Sequence, residues 1–190
     1  MDHLDPRSPL VISTRALTRR PGTMQELHRT VDLPDDLGTD IIAIRAGSPV
    51  RLEVRLESVV EGVLVSGTAG GTATGSCVRC LDPVVLAVEG SYQELFAYSD
   101  RAAHHHEAGV EHDDEVHELV GDLVDLEPVI RDALVPTLPF QPLCREDCPG
   151  LCPRCGARLA DHPEHHHEVT DPRWSALSGL LGDHLQEKRN

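Results

Sequence analysis

The chain has 190 residues, with 32 acidic against 17 basic side chains and a formal charge of −15. Such a balance opposes gripping bare phosphate backbones, where affinity comes from cations that displace counterions, and favours a protein partner, above all a basic one. The aromatic residues Tyr92, Phe96, Tyr98, Phe140 and Trp174 supply no stacking platform for single-stranded bases.

No window approaches the roughly 18 apolar residues of a membrane span. The start, "MDHLDPRSPLVISTRALTRRPG", lacks a basic segment followed by an apolar run, so no secretory signal is expected. A cytoplasmic protein is the expectation, and in that reducing compartment clustered cysteines hold metal or do catalysis more often than they form disulfides.

Residues 1–48, punctuated by "RRPG", "LPDDLG" and "RAGSP", read as short strands and turns. The clearest strand follows at 50–57, where Val50, Leu52, Val54 and Leu56 alternate with Arg51, Glu53, Arg55 and Glu57. "EG" at 61–62 suggests a turn into a strand at 63–69. A third strand over 72–76 leads to Cys77, and 83–98 returns from it with a bulge expected near Gly90.

Composition then shifts. Between Asp100 and Glu127 stand ten acidic residues, one Arg and a His triplet at 104–106, the pattern of a solvated, flexible loop. Either it is an acidic spacer, or Glu111, Asp113, Asp114, Glu115 and Glu118 attract a basic partner. A helix is expected at about 125–135, with Asp125 as its N-cap candidate and Pro128 in the first turn. Leu126, Val129, Ile130, Ala133 and Leu134 would share its apolar face, and Pro136 and Pro139 close it. A short C-terminal helix around Trp174, Leu177, Leu180 and Leu181 ends the chain. The expected fold is therefore α+β, mainly antiparallel β. It comprises a β-rich domain at 1–99, an acidic His-containing loop at 100–124, and residues 125–190 packed with 1–99 as one domain.

Chemistry concentrates in the cysteines. "CVRC" (Cys77, Cys80) falls at the expected hairpin tip, and "CREDCPGLCPRCG" carries Cys144, Cys148, Cys152 and Cys155. "CPRCG" has the form of a zinc knuckle, in which two thiolates chelate one ion and Gly156 permits the turn that aims amide N–H groups at sulfur. The Cys148, Cys152, Cys155 spacing also fits the iron–sulfur motif of radical enzymes, but those need a large βα barrel with the motif near its start. A thioredoxin-like redox pair would want a βαβ context that is missing. Structural zinc, one or two ions, is the preferred reading, and two partitions of the ligands stay open. One places Cys144, Cys148, Cys152 and Cys155 on a single ion. The other pairs Cys77 and Cys80 with Cys144 and Cys148, and Cys152 and Cys155 with His165 and His167.

The segments "RLESVVEGVLVSGT", "CVRCLDPV", "YQELF", "DLEPVIRDALVPTLPFQPLCREDCPGLCPRCG" and "DPRWSALSGLL" occur in an order that resembles the YceD family, proteins linked to accumulation of large-subunit ribosomal RNA. The resemblance covers most of the chain from residue 50 onward. It implies a ribosome-biogenesis factor of the bacterial and plastid type, whose gene often neighbours that of a zinc-binding large-subunit ribosomal protein. Cys77 and Cys80 then match the family's central pair, and Cys144 to Cys155 its cysteine-rich C-terminal version. Further cysteines of some relatives fall where this chain has "HHH", which supports His165 and His167 as ligands. The expected function is non-enzymatic support of large-subunit assembly through a ribosomal protein or a large-subunit precursor, direct rRNA contact not being indicated by charge. The competing class, a zinc-dependent or redox enzyme using the cysteine cluster, would need an open coordination position and a placed base; no acidic residue stands in a recognised zinc-hydrolase motif.

Overall fold

The structure is a computed structural model that describes residues 4–99 and 117–167, together with Arg173. The expected C-terminal helix, the His triplet at 104–106 and four of the five clustered acids, Glu111 to Glu115, lie outside the described residues. The chain divides into two compact units, residues 1–148 and 149–190. No helix among the described residues is long and apolar enough to cross a membrane.

The first unit is built on antiparallel strands. β1 (Val11–Ser13), β2 (Met24–Asp32), β3 (Leu37–Gly38) and β4 (Ile42–Ile44) precede the three long strands β5 (Pro49–Ser58), β6 (Gly62–Ser76) and β7 (Pro83–Ala97). β8 (Leu123–Asp125) pairs with β1; the other strands form one sheet in the order β2-β5-β6-β4-β3, with β7 on the other side of β6. Strand alternation accounts for β5: Val50, Leu52, Val54 and Leu56 are buried, and the charged residues between them are exposed or half-buried. Each such side chain contributes on the order of 1.5–3 kcal/mol of burial. The β5–β6 turn closes where "EG" suggested, with the Val59 N–H donating to Gly62 O at 2.9 Å.

Two strand expectations change. Residues 63–69 and 72–76 are one continuous fifteen-residue strand, and β7 pairs with it in uninterrupted register from Gly62↔Ala97 to Ser76↔Pro83, so there is no bulge at Gly90. Glycine here marks close approach instead of interruption. A Cβ at Gly67 would sit 1.8 Å from Glu53 O, one at Gly75 2.3 Å from Ile41 O, and one at Gly90 2.3 Å from Ala133 O. The first two let neighbouring strands crowd β6; the third lets a helix lie on β7.

That helix, α1 (Glu127–Leu134), buries Val129, Ile130 and Leu134. It starts two residues later than expected, with Leu126 as N-cap. Asp125 ends β8 opposite Val11, and its carboxylate accepts the Glu127 N–H at 3.0 Å from outside the helix. A 3₁₀ turn, Val135–Thr137, replaces the helix's expected last residues. Part of the expected acidic loop is also ordered by the core: Leu119 and Val124 are buried, and β8 supplies a strand.

Candidate metal centres

The β6–β7 hairpin ends in residues 77–82, which places "CVRC" at its tip. Cys77 closes the tip twice: its N–H donates to Asp82 O at 2.7 Å, and its carbonyl accepts the Leu81 N–H at 2.9 Å. This tight turn holds Leu81 at φ 65°, the only positive-φ residue other than glycine among the described residues. The chain leaving α1 returns beside the tip, where the Val78 N–H donates to Pro142 O at 3.0 Å. Cys144 and Cys148 therefore arrive opposite Cys77 and Cys80. Sγ–Sγ distances are 3.8 Å for Cys77–Cys148 and 3.5 Å for Cys80–Cys144, and all four sulfurs lie within 4.8 Å of one another. Tetrahedral zinc with Zn–S bonds of about 2.3 Å has sulfur–sulfur edges of about 3.8 Å, so four thiolates could accept the ion with little adjustment.

The protein prepares one thiolate. Burial raises the Cys77 thiol, but the backbone N–H groups of Cys144, Cys80 and Arg79 outweigh it and lower its pKa to about 6. Cys80 goes the other way, to about 12: the Asp82 N–H lowers it, yet burial and the neighbouring sulfurs of Cys144, Cys77 and Cys148 prevail. Crowded sulfurs without a cation cannot all ionise, and a divalent ion is what would relieve that repulsion.

In the second unit the residues "CPRCG" repeat the same loop. The Cys152 N–H donates to Ala157 O, and Cys152 O accepts the Gly156 N–H, both at 2.8 Å. Gly156 takes φ +72°, the position Leu81 occupies in the first loop. The backbone N–H groups of Arg154 and Cys155 lead in lowering the Cys152 thiol to about 6. A bridge between Leu151 and Arg158 and the Leu159 N–H to Gly150 O bond, 3.1 Å, close a small hairpin beneath the knuckle.

Two imidazoles complete that cluster. Cys155 Sγ lies 3.2 Å from His165 Nε2 and 3.3 Å from His167 Nε2, and the two Nε2 atoms are 3.0 Å apart. His165 and His167 both reach Cys155, while the exposed His166 bonds Glu164 O through Nδ1 at 3.0 Å.

All eight candidate ligands fall into these two groups, Cys77, Cys80, Cys144 and Cys148, and Cys152, Cys155, His165 and His167. Neither group is the one-ion partition over residues 144–155. Sequence reading overlooked Arg79, whose guanidinium donates to Cys148 O at 2.9 Å and ties the tip to the incoming loop. The available signal was the arginine at the third position of both "CVRC" and "CPRC".

A sequence profile of the family described as large ribosomal RNA subunit accumulation protein YceD matches residues 65–181. The chain is 48% identical over 92% of its length to uncharacterized protein Rv2926c of Mycobacterium tuberculosis, of which it covers 83%. It is 40% identical to uncharacterized protein ML1660 of Mycobacterium leprae, covering 92% of this chain and 78% of that one. With uncharacterized protein YlbN of Bacillus subtilis it shares 31% identity over 87% of this chain and 92% of the other. No solved structure matches.

Proposed function

The chain belongs to the YceD family, and from that premise we propose that it is a cytoplasmic, non-enzymatic ribosome-biogenesis factor. It supports accumulation or assembly of the large ribosomal subunit and its rRNA by engaging a basic ribosomal protein or a protein-rich precursor. Two structural zinc ions belong to this reading, one held by Cys77, Cys80, Cys144 and Cys148, the other by Cys152, Cys155, His165 and His167.

The observation that carries the structural role is the ligand count. Each cluster brings four protein donors within 4.8 Å of one another. Catalytic zinc keeps three protein ligands and an open position for water or substrate, whereas structural zinc is closed by four. The −15 charge supports a basic partner over naked RNA.

The test has two arms. Metal analysis of the purified protein is expected to give two zinc ions per chain and no iron or labile sulfide; a brown iron–sulfur protein would end the zinc reading. In cells lacking the gene, the ratio of large- to small-subunit rRNA is expected to fall and to be restored by the wild-type chain. An unchanged ratio would end the ribosomal reading.

A further inference from the structure

β7 forms an edge of the main sheet. Its inner side pairs with β6 along all fifteen residues. Among the described residues its outer side is bridged only at Ala97, whose N–H donates to His117 O at 2.8 Å and whose carbonyl accepts the Leu119 N–H at 3.0 Å. The N–H and C=O of one strand residue point to the same side, and successive residues alternate. Ala97 points outward, so Val85, Ala87, Glu89, Ser91, Gln93 and Leu95 also present their backbone groups outward.

Natural edge strands are usually blunted by charge. β2, the edge beside β5, follows that rule: Glu26, His28, Arg29 and Asp32 are exposed along it. β7 does not. Residues 83–88 carry no charge, Val85 is 69% exposed and Ala87 is exposed. Further along, Gln93, Glu94, His117 and Asp132 line a groove between the edge and α1. The edge therefore runs from a neutral, apolar half to an acidic half.

We propose that the outer edge of β7, from Val85 to Leu95, is the docking site for an extended segment of a basic protein, which adds to the sheet as a strand. A ladder of outward N–H and C=O groups selects an extended backbone, the mode known as β-augmentation. The neutral half selects apolar side chains opposite Val85 and Ala87. Glu89, Glu94 and Asp132 select cations beyond them, and the chain's net charge favours the same sign. This inference rests on the function proposed above and names where its basic partner binds.

The experiment uses the full chain and salt-extracted proteins of the large ribosomal subunit as the probe, with binding and amide exchange measured together. Ala87→Pro deletes an outward N–H and leaves the β6 ladder untouched, as proline permits only on an edge; Ala87→Ser keeps the N–H. Val85→Glu leaves the backbone intact and puts an acid in the neutral half, so it carries the test if the proline variant fails to fold. Expected are retention of one or more basic ribosomal proteins, slowed exchange at Val85, Ala87 and Glu89 on binding, at least tenfold weaker binding by Ala87→Pro and Val85→Glu, and little change with Ala87→Ser. Undiminished binding by both disruptive variants, with no slowed exchange on β7, would overturn the edge site while leaving the partner class standing. Retention of no ribosomal protein by the wild type would overturn both. A dimer of this chain that Ala87→Pro dissolves would assign the edge to a second copy and overturn the proposal as well.

Discussion

The loops Cys77–Asp82 and Cys152–Ala157 close the same two hydrogen bonds, at 2.7 and 2.9 Å in one and 2.8 Å twice in the other. Their surroundings differ. The first caps two fifteen-residue strands in a unit with a core of buried Leu, Ile and Val. In the second, Cys152 is the only buried side chain among the described residues from 149 to 167. One local geometry is thus asked to do two jobs. At the hairpin tip a metal would fasten a loop to a sheet that hydrophobic burial already holds. Among the described residues of the second unit there is no comparable burial, so metal binding and folding there would be the same event.

Chelation should separate these jobs most sharply. If the second cluster holds zinc as proposed, its removal would forfeit a binding free energy of about 10–16 kcal/mol, the range of comparable small zinc folds, far beyond what the local hydrogen bonds supply. Amides of Cys152, Gly156 and Leu159 are expected to lose all exchange protection, while β5 and β6 keep theirs. Simultaneous loss of protection in both units would show that the first sheet also depends on metal.

Single ligand changes come next. Cys155→Ser is expected to lower zinc content from two ions to one and to unfold 149–167 without lowering the melting temperature of the first unit. Cys80→Ser should also leave one zinc, but with a folded chain whose first unit melts earlier. Loss of both ions from either variant would mean that the clusters are not independent.

How far these clusters could be read from sequence follows from the range of each signal. Cys-x-x-Cys fixes its own pair because both ligands share one turn, so both knuckles were legible, as was the alternation that puts Val50 to Leu56 inside. Whether Cys144 joins Cys77 or Cys155 depends on the path of α1 and the segment after it across β7, which no local spacing encodes. Glycine misled for a related reason. Gly70-Gly71 and Gly90 looked like breaks, whereas Gly71 lies against Ile44 and Gly90 against Ala133, contacts made by chain distant in sequence. Asp125 has a capping residue's chemistry, but pairing with Val11 recruited it to a strand first.

At one matched position the two loops share a left-handed backbone but not a residue, and there the comparison can be sharpened by substitution. Leu81 holds φ 65° where the second loop has Gly156 at +72°. A left-handed conformation costs a non-glycine residue about 1–2 kcal/mol, and Leu81, 67% exposed, recovers little of that by burial. Leu81→Gly is expected to stabilise the first unit by up to about 1 kcal/mol, the gain being trimmed by glycine's freer unfolded chain. Gly156→Ala should do the reverse in the second unit and weaken its zinc affinity severalfold. A destabilised Leu81→Gly protein, measured by denaturant midpoint, would mean that the Leu81 side chain makes contacts that outweigh its strained backbone.

At Arg79 the expected effect is on metal release and not on metal content. Its guanidinium donates to Cys148 O at 2.9 Å, linking the tip to the loop that brings the last ligand of the first cluster. The bond is partly buried, so removing it costs about 0.5–1.5 kcal/mol, while the hairpin's own register and the Val78 N–H to Pro142 O bond remain. Arg79→Ala should therefore keep two zinc ions at equilibrium yet release the first more quickly to a competing chelator, because the 144–148 loop leaves the tip more often. Arg79→Lys should recover part of the difference, a single ammonium being able to reach one carbonyl though without the planar fork. Equal release rates for all three proteins, read from a zinc-sensitive dye at fixed chelator concentration, would show that the two hydrogen bonds inside the knuckle suffice to hold the cluster together.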